Sequence, residues 1–566
     1  MRLADWLVLC GALAFVVFYG LWRGRGTDSV SKYLLAGKTM PWHAMALSIM
    51  ATQASAVTFI STTGQSYVDG MRFVQFYFGL PLAMVVLSFT AVPIFHRAKV
   101  YTAYEYLEQR FDARTRDLVS AIFLIQRGLA LGITLYAPAV VLTVIFGWPD
   151  TLTTLVMGGI AVTYTTMGGV KTIAWTDFQQ MLVMTAGLVA ALATAVFLLP
   201  GHVSFPDAVT LAGAAGRLNA VTLNMDWNDR YNLWSGLIGG MFLALAYFGT
   251  DQSQVQRYLT GKSIAQSRLS LLFNAVAKIP MQFFILFIGA MVFVFYIYEK
   301  PPILFERTEF ERLQTPPLQA GYRPVEQNYD AAFERRKSAA DRLIDARRAG
   351  NPDLWEKGLA EYGSAQREFD TARRAGASLV EKAGGKKIND TNYIFLTFVT
   401  HHLPAGLVGL VLAVIFGATM TAISAEMSAL ASVSVIDIYK RHFRTSATDH
   451  HYLTASRAAT VFWGCYAVLV AHYAKRLGSL VEVVNILGSF FYGGMLGVFV
   501  LAFFFPRVRA RGAFYGVLAG EAVIFACWYF TSIAFLWYNV IGCVVVVLTG
   551  ALISSLEQPA VRQPGL

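Results

Sequence analysis

The sequence predicts an all-α integral membrane protein, and its composition and hydrophobic pattern carry that prediction. Of its 566 residues, 56% are hydrophobic and only 14% are charged, whereas roughly a quarter of a soluble domain is charged. The mean hydropathy is +0.50. The apolar residues fall into runs of about 18–25, the length that an α-helix needs to cross a hydrocarbon core of ~30 Å. We therefore expect helices that span a lipid bilayer.

Thirteen apolar runs are candidate membrane helices. The first continues into Trp22 and Arg23 and lacks a small-residue cleavage site, so we interpret it as a spanning helix and not as a secretion signal. Numbered span 1 to span 13 in chain order, the runs are 4–22, 42–64, 73–96, 117–146, 152–167, 176–199, 232–250, 268–298, 405–436, 454–473, 481–505, 513–531 and 533–554.

Lysine and arginine are distributed unevenly between the loops. Loops after odd-numbered spans are basic, as with Arg97 and Lys99 or Lys440 and Arg441, whereas loops after even-numbered spans carry few such residues once 301–390 is set aside. Because cytoplasmic loops carry the basic excess, the odd loops are predicted to be cytoplasmic. A multi-pass protein of the cell (inner) membrane follows, with its N-terminus outside and its C-terminus inside. These loops account for the net charge of +11, and no nucleic-acid partner is expected.

Residues 301–390 interrupt the apolar pattern. They are rich in Arg, Lys, Glu and Ala, and Asn351-Pro352 separates two helical stretches, which predicts a polar helical hairpin. Its place after span 8 predicts an extracytoplasmic insertion. The chain thus divides into transmembrane parts at 1–300 and 391–566 around this insertion. We expect a solvated segment without a transport role; docking of an extracytoplasmic partner, or gating, is the alternative.

Signatures of soluble enzymes are absent from the sequence. No G-x-x-x-x-G-K-[ST] phosphate loop occurs, so nothing indicates direct use of ATP. Cys10, Cys465, Cys527 and Cys543 lie in apolar runs without C-x-x-C spacing. They are expected to be buried thiols, not a disulfide framework or a zinc site. We do not expect an enzyme.

Span 2 has the composition of a helix that unwinds midway. Residues 46–67 are rich in small and hydroxyl side chains around Gln53. Such residues also let helices pack closely in lipid, which is the alternative interpretation. Non-helical backbone at membrane depth is tolerated where it lines a cavity, and there its carbonyls can bind a cation. We predict a discontinuous binding helix.

Span 7 ends in a similar way. Tyr247 and Phe248 precede Gly249, and Asp251 follows. The aromatic side chains are either ordinary core or the wall of a substrate pocket beside a helix break.

Span 9 carries hydroxyl groups on several faces. Thr421, Ser424 and Ser428 recur at helical spacing and share a face. Oxygen ligands suit a hard cation such as sodium, although hydroxyls in membrane helices also bond to their own backbone. Glu426 in the same span needs a partner or water.

Ionisable residues inside spans are functional candidates because burying a bare charge in lipid is costly. Arg127 and Lys278 are such residues, and either could neutralise Glu426, although the sequence does not pair them. Asp437, near the cytoplasmic end of span 9, could simply face the interface.

Five motifs identify a family. They are GGVKTIAWTDFQQ at 168–180, ATQASAVTF at 51–59, VYTAYEYLEQRF at 100–111, TDQSQVQRYL at 250–259, and the hydroxyl-rich helix that ends in DIYKR at 437–441. In content and order they resemble the sodium:solute symporter family, which includes the sodium–glucose, proline, pantothenate, iodide and sialic-acid cotransporters. The resemblance covers nearly the whole chain apart from 301–390.

The resemblance implies a LeuT-like inverted repeat of five plus five helices. Spans 2–6 would form one repeat and spans 7–11 the other, with span 1 and the last two spans peripheral. It also implies a secondary-active symporter that imports a small organic solute with sodium by alternating access.

The resemblance further implies binding residues. The sodium positions that match are Ala51, Ala54, Ala418, Thr421 and Ala422; the family commonly has two adjacent hydroxyl residues where this chain has Thr421 followed by Ala422. A second sodium would take Asp177, Thr421 and Ser424, with Ala425 where a serine would help. The substrate positions that match are Gln53, Thr58, Tyr77, Tyr247, Phe248 and Asn485.

Two other functions stay open at this level. One is a solute sensor without transport, although no signalling domain is expected because the chain ends just after span 13. The other is proton coupling through Asp177 or Glu426.

Overall fold

The protein is helical throughout the part of the chain that the structure describes. The computed structural model describes residues 2–23, 29–54, 56–384, 388–474 and 480–557, and no β-strand forms within these ranges. The α-helices of the first half are α1 (Leu3–Arg23), α2 (Val30–Leu35), α3 (Trp42–Gln53), α4 (Ala56–Asp69), α5 (Leu80–Phe89), α6 (Ala91–Ala98), α7 (Ala103–Arg110), α8 (Ala113–Phe146), α9 (Asp150–Phe197) and α10 (Phe205–Ala214).

The second half continues in the same way. Its α-helices are α11 (Gly240–Gly249), α12 (Gln252–Leu259), α13 (Ile264–Tyr298), α14 (Arg307–Leu313), α15 (Gln319–Ala349), α16 (Pro352–Gly384), α17 (Thr391–His402), α18 (Leu407–Val433), α19 (Asp449–Ala474), α20 (Leu480–Phe504), α21 (Ala510–Phe530) and α22 (Leu536–Leu556). Short 3-10 helices at Ala36–Lys38 and Gly70–Tyr77 and π-helical segments at Ser235–Gly239 and Ser434–Phe443 join or extend them.

Ten helical stretches among the described residues are long and apolar enough to cross a membrane. The predicted all-α membrane protein is thereby confirmed. The stretches number ten because predicted spans 2 and 3 contribute to one stretch, Thr58–Ala98, because spans 5 and 6 both lie in α9, and because the span-7 helix, Ser235–Gly249, is short. α9 bends at Gly169, whose φ of 64° is left-handed. An added Cβ would lie 3.0 Å from the Tyr33 ring, so this bend requires glycine.

Both of the predicted helix interruptions are present. Span 2 consists of α3, which ends at Gln53, and α4, which begins at Ala56; Ala54 between them has the non-helical angles φ −99° and ψ 61°. Span 7 ends with α11 at Gly249, and Asp251 then caps α12 by accepting a hydrogen bond of 2.9 Å from the Ser253 N–H. The interruptions expected from composition therefore occur in both places.

Helices α4 and α13 approach each other closely. A Cβ added to Gly289 of α13 would lie 2.2 Å from the carbonyl oxygen of Thr63 in α4. Small residues allow such close contacts between membrane helices. This contact places α13, which carries Lys278, beside the second half of the broken span 2.

The insertion 301–390 is a helical hairpin with a hydrophobic core of its own. Gly350 ends α15 with a φ of 63°, and the Asn351 side chain accepts hydrogen bonds from the Asp353 and Leu354 N–H groups at the start of α16. The buried apolar residues of this core are Ile303, Leu304, Leu313, Tyr322, Tyr329, Ala332, Phe333, Phe369, Ala372 and Val380.

Ion pairs connect the hairpin to α10. Arg348 lies 2.7 Å and Arg347 lies 3.3 Å from the carboxylate oxygens of Asp207. Burial favours the neutral acid, but hydrogen bonds from Ser204 and Arg348 outweigh it and hold the pKa of the Asp207 carboxyl below its usual value. The ion pairs therefore persist at neutral pH.

Candidate functional site

A central cavity lies against both helix breaks. Its volume is about 130 Å³. A cavity needs a volume of roughly 10–15 Å³ to hold one water molecule, so this cavity has room for on the order of ten water-sized groups. Residues of the broken spans 2 and 7, of span 3 and of α8, α13, α18 and α20 line it. Among them are all six of the predicted substrate residues, Gln53, Thr58, Tyr77, Tyr247, Phe248 and Asn485.

Hydrogen bonds hold the polar lining in place. The Thr58 hydroxyl donates to the Gln53 carbonyl across the break of span 2, at 3.0 Å, and so satisfies a carbonyl that a continuous helix would have used. The Asn485 amide donates to the Val481 carbonyl at 2.7 Å. Tyr247 accepts a hydrogen bond of 2.7 Å from Gln254. The cavity thus presents fixed amide and hydroxyl groups between aromatic walls.

A buried charge network forms one side of the cavity. The Arg127 guanidinium lies 3.0 Å from Glu426 and forms a second ion pair with Asp251. Tyr492 donates to Asp251 at 2.8 Å and accepts a hydrogen bond from Arg127. Charges at this depth are stable only when paired and hydrogen-bonded. The network joins α8, the break of span 7, α18 and α20, and it identifies Arg127 as the partner of Glu426.

Lys278 lines the same cavity as Arg127 but has a different environment. Its side chain is 0% exposed. Its ammonium nitrogen has no hydrogen-bond partner and no carboxylate within ion-pair distance among the described residues; it lies 5.2 Å from the centre of the Tyr77 ring. Lys278 is therefore a buried amino group without an acid of its own among the described residues, and it lines the cavity.

The predicted sodium positions lie on α3, at the break directly after it, and on α18, and the two helices pack together. Ala51, Ala54, Ala418, Thr421 and Ala422 are all buried. The Ala51 carbonyl accepts the Ala54 N–H at 3.0 Å, and Ala422 reaches the cavity wall. The Thr421 hydroxyl donates to the amide oxygen of Gln180 in α9. Gln180 thus places a side-chain oxygen beside Thr421.

The candidate second-sodium residues are partly brought together. Asp177 is buried, accepts a hydrogen bond of 2.5 Å from Ser48, and lies 3.3 Å from Arg257. Thr421 lies beside its carboxyl group. Ser424 instead accepts a hydrogen bond of 2.8 Å from Thr165. Asp177 therefore has a cationic partner already, in the guanidinium of Arg257.

Several residues of this region were not singled out from the sequence. Gln180 and Arg257 lie within quoted motifs, and Gln180 follows Asp177 by three positions, so its shared helix face was a usable signal. Ser48 and Tyr492 carried no such signal, because hydroxyls are frequent in these spans. Their roles depend on contacts between distant helices.

Asp437 does not face the interface. It is buried, accepts a hydrogen bond of 2.8 Å from Thr102, and forms an ion pair of 2.6 Å with Arg116. The interfacial interpretation was wrong because Arg116, 321 positions away, folds against it and supplies the counter-charge.

The chain is similar to known membrane transporters along nearly its whole length. The model of the "Sodium:solute symporter family" matches residues 33–300 and 362–520. The human sodium-coupled monocarboxylate transporter 1 is 26% identical over 522 residues, which cover 92% of this chain and 72% of that protein. The sodium/sialic acid symporter SiaT of Proteus mirabilis is 25% identical over 564 residues, covering 98% and 96%. The human sodium/iodide cotransporter is 26% identical over 525 residues, covering 91% and 68%.

A solved structure shares the fold. The substrate-bound outward-open structure of a Na+-coupled sialic acid symporter superposes with a TM-score of 0.75 at 23% identity, covering 99% of both chains. The LeuT-like architecture predicted from the motifs is thereby confirmed.

Proposed function

This chain belongs to the sodium:solute symporter family and is a sodium-coupled transporter of a small solute, not an enzyme; we propose that its solute is a small organic anion, held in the central cavity with Lys278 as its counter-ion. The single observation that carries this proposal is the cavity-facing ammonium of Lys278, which has no acidic partner among the described residues.

The energetic argument is one of charge compensation. An isolated ammonium at membrane depth costs several kcal/mol. Arg127 does not create this demand, because it already pairs with two carboxylates, those of Glu426 and Asp251. A carboxylate that enters the cavity can form a charge-assisted hydrogen bond with Lys278, which is stronger than a bond between neutral groups. The proteins named for monocarboxylates, sialic acid and iodide also handle anions.

The remaining lining suits the body of such a solute. Tyr77, Tyr247 and Phe248 offer apolar faces, and the amides of Gln53 and Asn485 offer hydrogen bonds to a hydroxyl or carbonyl group. Small-molecule sites commonly combine a mostly apolar wall with a few placed polar groups. We therefore expect a compact carboxylate with one further polar substituent.

Sodium is proposed to bind between α3 and α18. The carbonyls of Ala51 and Ala54, the span-9 positions Ala418 and Ala422, and the Thr421 hydroxyl would surround it, with the solute beside it. Because the ion would join the two repeats, its binding and that of the solute would favour the same conformations, and this coupling must be reciprocal. The candidate second site uses Asp177, Thr421 and Ser424.

Uptake into liposomes tests the proposal. We expect purified, reconstituted protein to accumulate short carboxylates when a sodium gradient points inward, and not their uncharged amides. Equal uptake with choline in place of sodium would contradict sodium coupling. Uptake driven by a pH gradient alone would support the proton-coupled alternative. Transport of the amides at the same rate as the acids would show that Lys278 is not the counter-ion of the solute.

The proposed orientation places the insertion outside the cell and the loop after span 9 inside. The N-terminus of this inner-membrane protein then lies outside and its C-terminus inside, as the basic loops indicate. Ser338 of the insertion and Ser446 of that loop are both exposed, so they form a matched pair for cysteine substitution after the exposed Cys10 and Cys465 are replaced by alanine. In intact cells, an impermeant maleimide should label Ser338→Cys and spare Ser446→Cys. The reverse pattern would invert the topology.

A further inference from the structure

A second cavity lies where the insertion meets the transmembrane helices. Its volume is about 220 Å³. Tyr67 and Val68 at the end of α4 and Phe293 near the end of α13 form one side of it, and the hairpin α15–α16 forms the other. The cavity is thus separate from the central one, although the same two helices, α4 and α13, border both.

Arginine dominates the charge of this second cavity. Arg217, Arg336, Arg373 and Arg374 line it, against the two carboxylates of Asp370 and Asp390. Arg373 is paired with Asp390 at 2.7 Å, and Asp370 accepts a hydrogen bond from Gln366 of its own helix. The lining residues therefore leave an excess of two positive charges.

Arg336 is the buried member of this excess. Its side chain is 0% exposed, and its guanidinium stacks on Phe369, 3.6 Å from the ring centre. One nitrogen donates to the Tyr296 carbonyl, whereas Nε and Nη1 have no hydrogen-bond partner among the described residues. No carboxylate of the described chain lies within ion-pair distance. Water in the cavity can bond to these N–H groups but cannot supply the missing charge.

Arg336 and Arg373 differ in their counter-charges. Burial works against the charge of both, but the neighbouring Asp390 raises the pKa of Arg373 above its usual value. For Arg336, burial outweighs its neighbours, which are mainly tyrosines, and lowers the pKa of the guanidinium. A buried charge without a counter-ion is destabilising, so an anion that reaches Arg336 should bind and stabilise the folded protein.

We propose that this cavity binds an oxyanion of the carboxylate or phosphate class, with Arg336 as the central ligand and Arg374 and Arg217 beside it. Arginine presents N–H groups in a fork that matches the geometry of such anions. The bound anion would connect the insertion to the outer ends of α4 and α13. This inference does not depend on the identity of the transported solute, because the site is outside the central cavity.

Thermal unfolding of the full-length protein tests the site. The protein is placed in nanodiscs of zwitterionic phosphatidylcholine, so that no lipid of net negative charge competes, and inorganic phosphate is compared with chloride at equal ionic strength. A ligand that binds only the folded state raises its stability with concentration. We expect phosphate to raise the unfolding temperature of the wild type, and Arg336→Gln to raise the half-effective phosphate concentration about tenfold, because a charge-assisted hydrogen bond is lost.

Matched variants show whether Arg336 itself is responsible for the response to phosphate. Arg335, the neighbour of Arg336, is half-exposed and paired with Glu368 on the surface, so Arg335→Gln should respond to phosphate like the wild type. Lys278→Met removes the cation of the central cavity and should also keep the response. If Arg336→Gln fails to fold, Arg374→Gln provides a second test, because it should also weaken the response to phosphate.

The source of the anion is distinguished by a second probe. Succinate in place of phosphate tests whether a carboxylate, such as that of an entering solute, uses the same arginines. Stabilisation by both probes that depends on Arg336 and Arg374 indicates a general oxyanion site, and a response to phosphate alone indicates a site for free inorganic anions. If phosphate gives no shift beyond that of chloride, or if its effect depends on Lys278 and not on Arg336 and Arg374, the proposal is overturned.

Discussion

Lys278→Met is expected to weaken anion uptake strongly while leaving the protein folded. The ammonium of Lys278 has no partner among the described residues, so its removal breaks no internal ion pair and relieves the cost of a buried charge. The solute, by contrast, loses a charge-assisted hydrogen bond worth about 1.5–3 kcal/mol, which corresponds to roughly 10–100-fold in affinity. Solute-dependent uptake and the unfolding temperature, measured on the same preparation, check both expectations.

Arg127→Met is the informative contrast. It removes the shared partner of Glu426 and Asp251 and leaves both carboxylates buried. Breaking a buried ion pair in this way costs about 3–5 kcal/mol, so this variant should unfold at a lower temperature. Should Lys278→Met destabilise the protein as strongly as Arg127→Met, Lys278 would have a structural role. Should Lys278→Met transport normally, the counter-ion proposal would be wrong.

Ala422→Ser is expected to strengthen sodium binding, and Thr421→Val to weaken it. Ala422 is buried next to Thr421 and has no side-chain oxygen to offer, whereas serine adds one hydroxyl with little change in volume. If sodium lies at this point, one added oxygen ligand is worth about 1 kcal/mol, or roughly a fivefold lower half-saturating sodium concentration. Valine has the shape of threonine without the hydroxyl, so Thr421→Val should raise that concentration about tenfold or more.

Sodium titrations of uptake measure both effects, and Thr419→Val is the matched control. Thr419 lies on the same helix, but its hydroxyl donates to the Ile415 carbonyl of that helix, so its loss should leave the sodium dependence unchanged. A shift in Thr419→Val equal to that in Thr421→Val would indicate a general disturbance of α18. If Ala422→Ser had no effect on the sodium titration, the proposed ion position would be incorrect.

The helix breaks show how far local sequence information reaches. Gln53 among small residues, and Gly249 before Asp251, indicated interrupted helices, and α3 and α11 end at these points. Backbone propensity and the need to satisfy backbone polar groups act over a few residues, so these features are written in the local sequence. The same holds for Gly169, where the left-handed backbone angle requires glycine.

Local sequence patterns did not predict which charged residues form ion pairs. Arg127 and Lys278 were equal candidates for Glu426 from the sequence, and Arg127 is the partner although 299 positions separate the two. Asp437 acquires Arg116 in the same way. Which of two cations contacts an acid depends on the crossing angle and the rotation of the packed helices. The periodicity of the sequence does not determine either of these.

By itself, the sequence determined the membrane-spanning helical fold, the family, the two broken helices and the six residues that share the central cavity. Hydrophobic run length and turn residues determine the helices and their breaks through short-range physical constraints, whereas the family and the six residues follow from the resemblance of the motifs. Only the tertiary structure decided which buried charges find a counter-charge among the described residues, as Arg127 does, and which do not, as with Lys278 in the central cavity and Arg336 beneath the insertion. The reason is that a buried charge is stabilised by whatever the folded chain brings within a few ångströms, and that distance exists only after the helices have packed.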